Sequence, residues 1–218
     1  MDFAVTASTS IRSLAEARQV GSPFRHWRPR GLLDGDTALS LAQLPLDLPA
    51  TLDLSSGRRE ANNSTRLFFD VDGQSRVPAM RAVAAAMQST EVVHAWERLC
   101  GIELAGTSLR IEFCRDGDGF WLEPHTDIGA KRITILIYLS TGEGADGWGT
   151  DVYDGNRQFA ETVPGDFNTA LVFVPGPDTW HGFEKRPITG LRRTLMVNYV
   201  GPEWRARHEL SFPDLPVR

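Results

Sequence analysis

The chain has 218 residues, enough for one substantial core with a helical flank. A net charge of −5 argues against a general nucleic-acid binder, and no apolar run reaches the roughly 20 residues of a membrane helix. The stretch before Glu16 lacks the apolar centre of a signal peptide, and Cys100 and Cys114 sit in apolar surroundings as buried free thiols, so a reducing cytoplasm is the expected compartment.

Ser10 to Gln19 reads as a first helix, capped by Ser10, with Ile11, Leu14 and Ala15 on one face. Phe24-Arg25-His26-Trp27-Arg28-Pro29-Arg30 is basic and aromatic. Its bracketing prolines, Pro23 and Pro29, favour a packed loop with solvated arginines over a site for an anion or a base. Asp34 caps a short helix through Leu44, with Leu39 and Ala42 inward, and Pro45 and Pro49 stop it. Thr51 to Asn63 is polar, with a turn at Ser55-Ser56-Gly57. Arg66 to Val71 reads as a strand closed by a turn at Asp72-Gly73.

Pro78 opens a helix in which Met80, Val83, Ala84 and Met87 recur at helical spacing. A second begins at Ser89-Thr90, points Val92, Val93, Trp96 and Leu99 inward, and ends at Gly101. His94, alone beside apolar residues, is a packing or surface residue in this reading.

From Thr107 onward helical spacing gives way to short apolar runs separated by Gly, Asp and Pro. Ser108 to Cys114, Ile133 to Leu139, Thr150 to Tyr153, Leu171 to Val174 and Leu191 to Val200 are strands. Asp116-Gly117-Asp118-Gly119 and Asp154-Gly155-Asn156 are turns, and Thr141 to Gly149 is a glycine-rich loop. Helices first and strands after predict a mainly β sandwich or barrel with helical support, the helices covering one sheet face. A single domain is expected: residues 1–106 as extension and helical support, 107–200 as the β core, 201–218 as a tail.

His125-Thr126-Asp127 follows a strand and turn, and Trp180-His181 follows the strand ending at Val174. Each piece alone is weak. Together His125, Asp127 and His181 make a facial triad that leaves about half of an octahedral iron(II) open. On the last strand Arg192, Thr194, Met196 and Asn198 share one face, and Arg193, Leu195, Val197 and Tyr199 the other. A register shift of one would exchange Arg193 for Arg192.

At Pro124-His125-Thr126-Asp127, Thr134 to Ser140, Gly149-Thr150, Trp180-His181-Gly182 and Gly190-Leu191-Arg192-Arg193-Thr194, the sequence resembles the 2-oxoglutarate- and iron(II)-dependent dioxygenases. The likeness is to their prolyl-hydroxylase-like branch and spans Ser108 to Val200. It implies a double-stranded β-helix of jelly-roll or cupin type, with the N-terminal helices packed on its major sheet. It implies iron(II) held by His125, Asp127 and His181, and 2-oxoglutarate whose far carboxylate meets Arg192, with Thr194 and Tyr138 adding hydroxyl donors. It further implies dioxygen as oxidant, hydroxylation of an unactivated C–H bond as the usual outcome, and room for ascorbate as an accessory reductant.

The sequence departs from that pattern at Phe113-Cys114-Arg115, where a tyrosine is common. Arg115 reads as a turn residue facing water rather than a contact to cosubstrate or substrate. Phe120, Trp121 and Trp148 either line the entrance or pack the rim. The Thr141 to Gly149 loop and the Asn62 to Phe69 region are the expected sources of specificity. A small metabolite, a biosynthetic intermediate and a peptide side chain all stand open as substrates. Two other readings stand beside the oxygenase: a non-catalytic β-sandwich, and a cupin-like zinc or manganese protein without 2-oxoglutarate.

Overall fold

The computed structural model describes residues 1–45, 48, 53–58 and 64–218. Pro49, most of the polar Thr51 to Asn63 stretch, and the start of the Asn62 to Phe69 region lie outside the described residues.

The N-terminal part supplies helices α1 (Phe3–Glu16), α2 (Gly35–Ala42), α3 (Val71–Arg76), α4 (Pro78–Gln88) and α5 (Thr90–Cys100), and the short strands β1 (Gln19–Val20), β2 (His26–Trp27) and β3 (Arg66–Phe68). The rest is β4 (Ser108–Asp116), β5 (Leu122–His125), β6 (Lys131–Tyr138), β7 (Thr150–Tyr153), β8 (Phe159–Val163), β9 (Thr169–Phe173), β10 (His181–Phe183) and β11 (Arg192–Val200). These strands form two antiparallel sheets, a seven-stranded one in the order β1-β2-β9-β6-β11-β4-β3 and a four-stranded one in the order β5-β10-β7-β8. This is the expected double-stranded β-helix. No helix among the described residues is long and apolar enough to cross a membrane.

Alternation on the long strands decides the layering. Leu109, Ile111 and Phe113 of β4, Ile133, Ile135 and Ile137 of β6, and Leu195, Val197 and Tyr199 of β11 turn outward into the main core. There they meet Met80, Val83, Met87, Val92 and Trp96 of α4 and α5. Each such side chain stabilises the fold by roughly 1.5–3 kcal/mol. Tyr199 keeps its hydroxyl satisfied by donating to the Met87 carbonyl at 2.5 Å. The opposite face of the same strands looks at the small sheet, across a second cluster that includes Leu136, Tyr138, Val152 and Phe173. The register is the one expected: Arg192, Thr194, Met196 and Asn198 face inward, and Arg193 lies on the other side.

Several local expectations are corrected. The first helix begins at Phe3, because Asp2 caps it by accepting from the Ala4 N–H at 2.9 Å. Ser10 lies mid-helix, donating to the Thr6 and Leu32 carbonyls at 3.0 and 2.8 Å. Asp34 caps α2 as expected, but α2 buries Ala38, Leu41 and Ala42, and Leu39 projects into solvent. The strand at Arg66 stops at Phe68. Asp70 then caps α3 through the Gly73 N–H at 2.7 Å, so Asp72-Gly73 is helical rather than a turn. Arg115 is buried in β4 opposite Arg193, donating to the Ser64 carbonyl at 3.1 Å. The strands β1, β2, β5, β8 and β10 were not foreseen. Cys100 and Cys114 are buried and not joined in a disulfide, and His94 is an exposed helix residue.

Candidate active site

His125 ends β5 and His181 begins β10, and the antiparallel register sets them opposite one another, ring centroids 4.3 Å apart. Gly182 makes this pairing close: a Cβ there would meet the Leu122 carbonyl oxygen at 2.7 Å. Asp127, in the loop after β5, completes the group, with ligand atoms of all three residues within 4.8 Å of one another.

Both histidines are oriented alike. His125 Nδ1 lies 2.9 Å from the Glu123 carbonyl and His181 Nδ1 lies 2.9 Å from the Thr179 carbonyl. An oxygen acceptor at Nδ1 keeps the proton there and leaves the Nε2 lone pair free. Burial pushes His181 down to about 4, further lowered by His125 and opposed by Asp127. Burial raises the Asp127 carboxyl, yet Lys131, His181 and Thr134 together hold it well below the ordinary carboxylate range. Lys131 Nζ donates to Asp127 Oδ1 at 2.5 Å and Thr134 Oγ1 donates to Oδ2 at 2.6 Å. Asn198 Nδ2 in turn donates to Thr134 Oγ1 at 3.0 Å. Two free imidazole nitrogens and one ionised carboxylate fit a first-row divalent metal.

The triad opens on a cavity of about 170 Å³. At one end lie Arg192, Thr194 and Thr150. Arg192 is buried and donates to the Trp148 and Gly149 carbonyls at 2.7 and 3.0 Å and to Asp116 Oδ2 at 2.6 Å. Gly149 is required there, since a Cβ would sit 1.7 Å from the Val163 carbonyl oxygen. The Thr194 hydroxyl is buried without a hydrogen-bond partner among the described residues. Tyr138 shares this face, but its hydroxyl donates to Thr150 Oγ1 at 2.8 Å, and burial pushes it up to about 12.

At the other end the wall is charged. Glu112 Oε2 accepts from Arg66 Nε at 2.7 Å and Arg110 Nη2 at 3.1 Å, and Arg110 Nε reaches Glu209 at 2.6 Å. Arg110 is stacked between Phe68 and Trp204. Burial raises Glu112, and Arg110 and Arg66 outweigh it, leaving the group at about 2.

Phe120 and Trp148 pack with Phe183 in a rim cluster, and Trp121 Nε1 donates to the Leu54 carbonyl at 3.1 Å, so all three are packing residues rather than cavity lining. The Thr141 to Gly149 loop contributes no lining residue; from the Asn62 to Phe69 region Arg66 does. Sequence reasoning set Thr134 and Asn198 on the inward face without a role, and missed Lys131, Asp116, Arg110 and Glu112. For Thr134, Asn198, Arg110 and Glu112 the signal was present: polar side chains on the inward face of strands whose other face is apolar.

The sequence matches no family model and no curated protein. Solved structures share the fold at low identity. A Pseudomonas putida prolyl-4-hydroxylase is 16% identical with a TM-score of 0.56, the match covering 90% of this chain and 99% of that one. A Trichoplax adhaerens prolyl hydroxylase, solved with a hypoxia-inducible-factor oxygen degradation domain peptide, is 12% identical with a TM-score of 0.56 over 89% and 88%. SnoK, a non-haem α-ketoglutarate-dependent carbocyclase from nogalamycin biosynthesis, is 11% identical with a TM-score of 0.51 over 88% and 83%. The fold is therefore that of prolyl 4-hydroxylases and other 2-oxoglutarate iron(II) oxygenases.

Proposed function

We propose that this chain is a non-haem iron(II) oxygenase that couples 2-oxoglutarate decarboxylation to hydroxylation of a C–H bond in a small molecule or peptide side chain. One observation carries the reading. The His125, Asp127 and His181 ligand atoms converge on a cavity that continues to a buried arginine and an unpartnered threonine hydroxyl. In balance, R–H, 2-oxoglutarate and O2 become R–OH, succinate and CO2, one oxygen atom entering each organic product. The metal supplies the redox chemistry when bound.

The chain's own residues prepare the site. The Glu123 and Thr179 carbonyls fix the imidazole tautomers, and Thr134 holds the Asp127 carboxylate from the side. Arg192 uses three N–H groups on protein acceptors. A guanidinium has five, so two remain for the far carboxylate of the cosubstrate, beside the Thr194 hydroxyl. The apolar wall of Leu136, Phe183 and Met196 keeps water from the reacting centre.

A metal-binding sandwich without 2-oxoglutarate has one observation in its favour: Asp116 already neutralises Arg192. Anaerobic titration with iron(II) and then 2-oxoglutarate separates the two readings. The oxygenase develops a weak visible charge-transfer band that saturates with cosubstrate. A flat spectrum with iron demonstrably bound selects the alternative.

A further inference from the structure

Four cations line the metal cavity: Arg66, Arg110, Lys131 and Arg192. The three arginines hold carboxylates that lie outside the metal triad. Arg192 pairs with Asp116, Arg110 with Glu209 and Glu112, and Arg66 with Glu112. Lys131 differs. Among the described residues its ion pair is with Asp127, the residue that also offers an oxygen to the metal. A divalent cation at Asp127 would draw on the same carboxylate and repel the ammonium. Loading the metal would therefore weaken the Lys131–Asp127 pair, in a site where the Lys131 side chain is only 12% exposed. A charge so enclosed is costly without a new partner. On the cavity side it meets the uncharged Met196 sulfur at 3.8 Å, and beyond it Glu112, a carboxylate already held by Arg66 and Arg110.

We propose that the substrate supplies the missing anion: a small carboxylic acid whose carboxylate pairs with Lys131 and whose apolar chain runs along Met196, Leu136 and Ile128. This rests on the oxygenase reading above and names its substrate class. With Asp127 turned to the metal and Glu112 shared by two arginines, a substrate carboxylate is the fitting partner for Lys131. Because Lys131 touches a metal ligand, the C–H bond presented to the metal lies within a few bonds of that carboxylate. The selectivity so conferred is independent of Arg192, which serves the opposite end of the cavity.

The test uses zinc(II)-loaded protein saturated with 2-oxoglutarate, which binds without turning over, and compares hexanoate with hexanamide by calorimetry. Hexanoate is expected to bind at least about tenfold more tightly. Lys131→Met should abolish that preference and Lys131→Arg should keep part of it. Zinc affinity should not fall in Lys131→Met, because a competing ammonium has been removed. Equal binding of the two probes, including binding of neither, overturns the proposal. So does a preference that survives Lys131→Met, which would mean the ammonium turns outward to Glu103, on the open groove behind Asp127. Failure of 2-oxoglutarate to bind at all sinks the oxygenase reading instead, so the two failures are distinguishable.

Discussion

Thr134 donates its hydroxyl to Asp127 Oδ2 at 2.6 Å, from the strand face opposite the two histidines. Asn198 on the neighbouring strand holds the same hydroxyl from behind at 3.0 Å. The carboxylate is thus aimed by the major sheet while the imidazoles are aimed by the minor one. Thr134→Val should weaken iron(II) binding by about 10- to 100-fold, and Thr134→Ser should restore most of it. Calorimetric metal titration measures both, and equal affinities in the valine variant and wild type would refute the role.

Asp127 itself is the sole carboxylate of the triad. Asp127→Ala should leave the apoprotein folded and reduce iron affinity by more than Thr134→Val does. An Asp127→Ala protein that retains the visible band at ordinary iron concentrations contradicts the ligand assignment.

Arg192 has two duties that can be read apart. Removing its charge takes the guanidinium from buried Asp116, and breaking comparable buried pairs costs about 3–5 kcal/mol. Arg192→Lys keeps the charge but not the fork geometry. We expect Arg192→Lys to raise half-saturation for 2-oxoglutarate about tenfold or more, with a much smaller loss of stability than Arg192→Ala. Unchanged cosubstrate affinity in the lysine variant would leave Arg192 as a structural partner of Asp116 alone.

Glu112 predicts an acid sensitivity. Its folded value is near 2, against 4.5 for the free group. The stability it contributes is complete above pH 4.5 and disappears as pH falls from 4.5 toward 2, an order-of-magnitude change of ~3 kcal/mol. Urea unfolding between pH 6 and pH 3 should therefore show a shallower loss in Glu112→Gln than in wild type. Parallel losses in the two proteins would contradict the assignment.

Gly149 carries the backbone that receives Arg192. A methyl group there collides with the Val163 carbonyl. Gly149→Ala should lower stability by about 2 kcal/mol or more and raise half-saturation for 2-oxoglutarate, because the displaced carbonyl also positions Arg192. Thermal unfolding and cosubstrate titration of the same sample check both effects.

Much of this site was legible beforehand, for physical reasons. The period-two alternation of β11 told Arg192 and Thr194 from Arg193, since one face had to be apolar enough to carry α4 and α5. The triad was legible only through joint placement: His125-x-Asp127 is weak alone, and His181 and Arg192 at their positions gave it meaning. Lys131 was not, because a lysine at the start of a strand ordinarily points to water. Strands β5 and β10 were illegible for another reason. They have four and three residues, one containing Pro124 and the other Gly182, and they exist through pairing with each other rather than through local propensity. The helix at Phe3 was displaced in the reading because Ser10 looks like a cap, while the residue that acts as one, Asp2, stands at the edge of the chain.

Pairing His125 with His181 across β5 and β10 would give a metal held there, as proposed, a mechanical role as well as a chemical one. An ion shared by those two short strands rivets them, and at a free metal level one hundred times Kd the linkage adds about 2.7 kcal/mol to folding. If the chain is the iron(II) oxygenase proposed above, iron starvation would do more than idle it. It would loosen the lesser sheet, invite proteolysis there, and make cellular abundance track the iron supply.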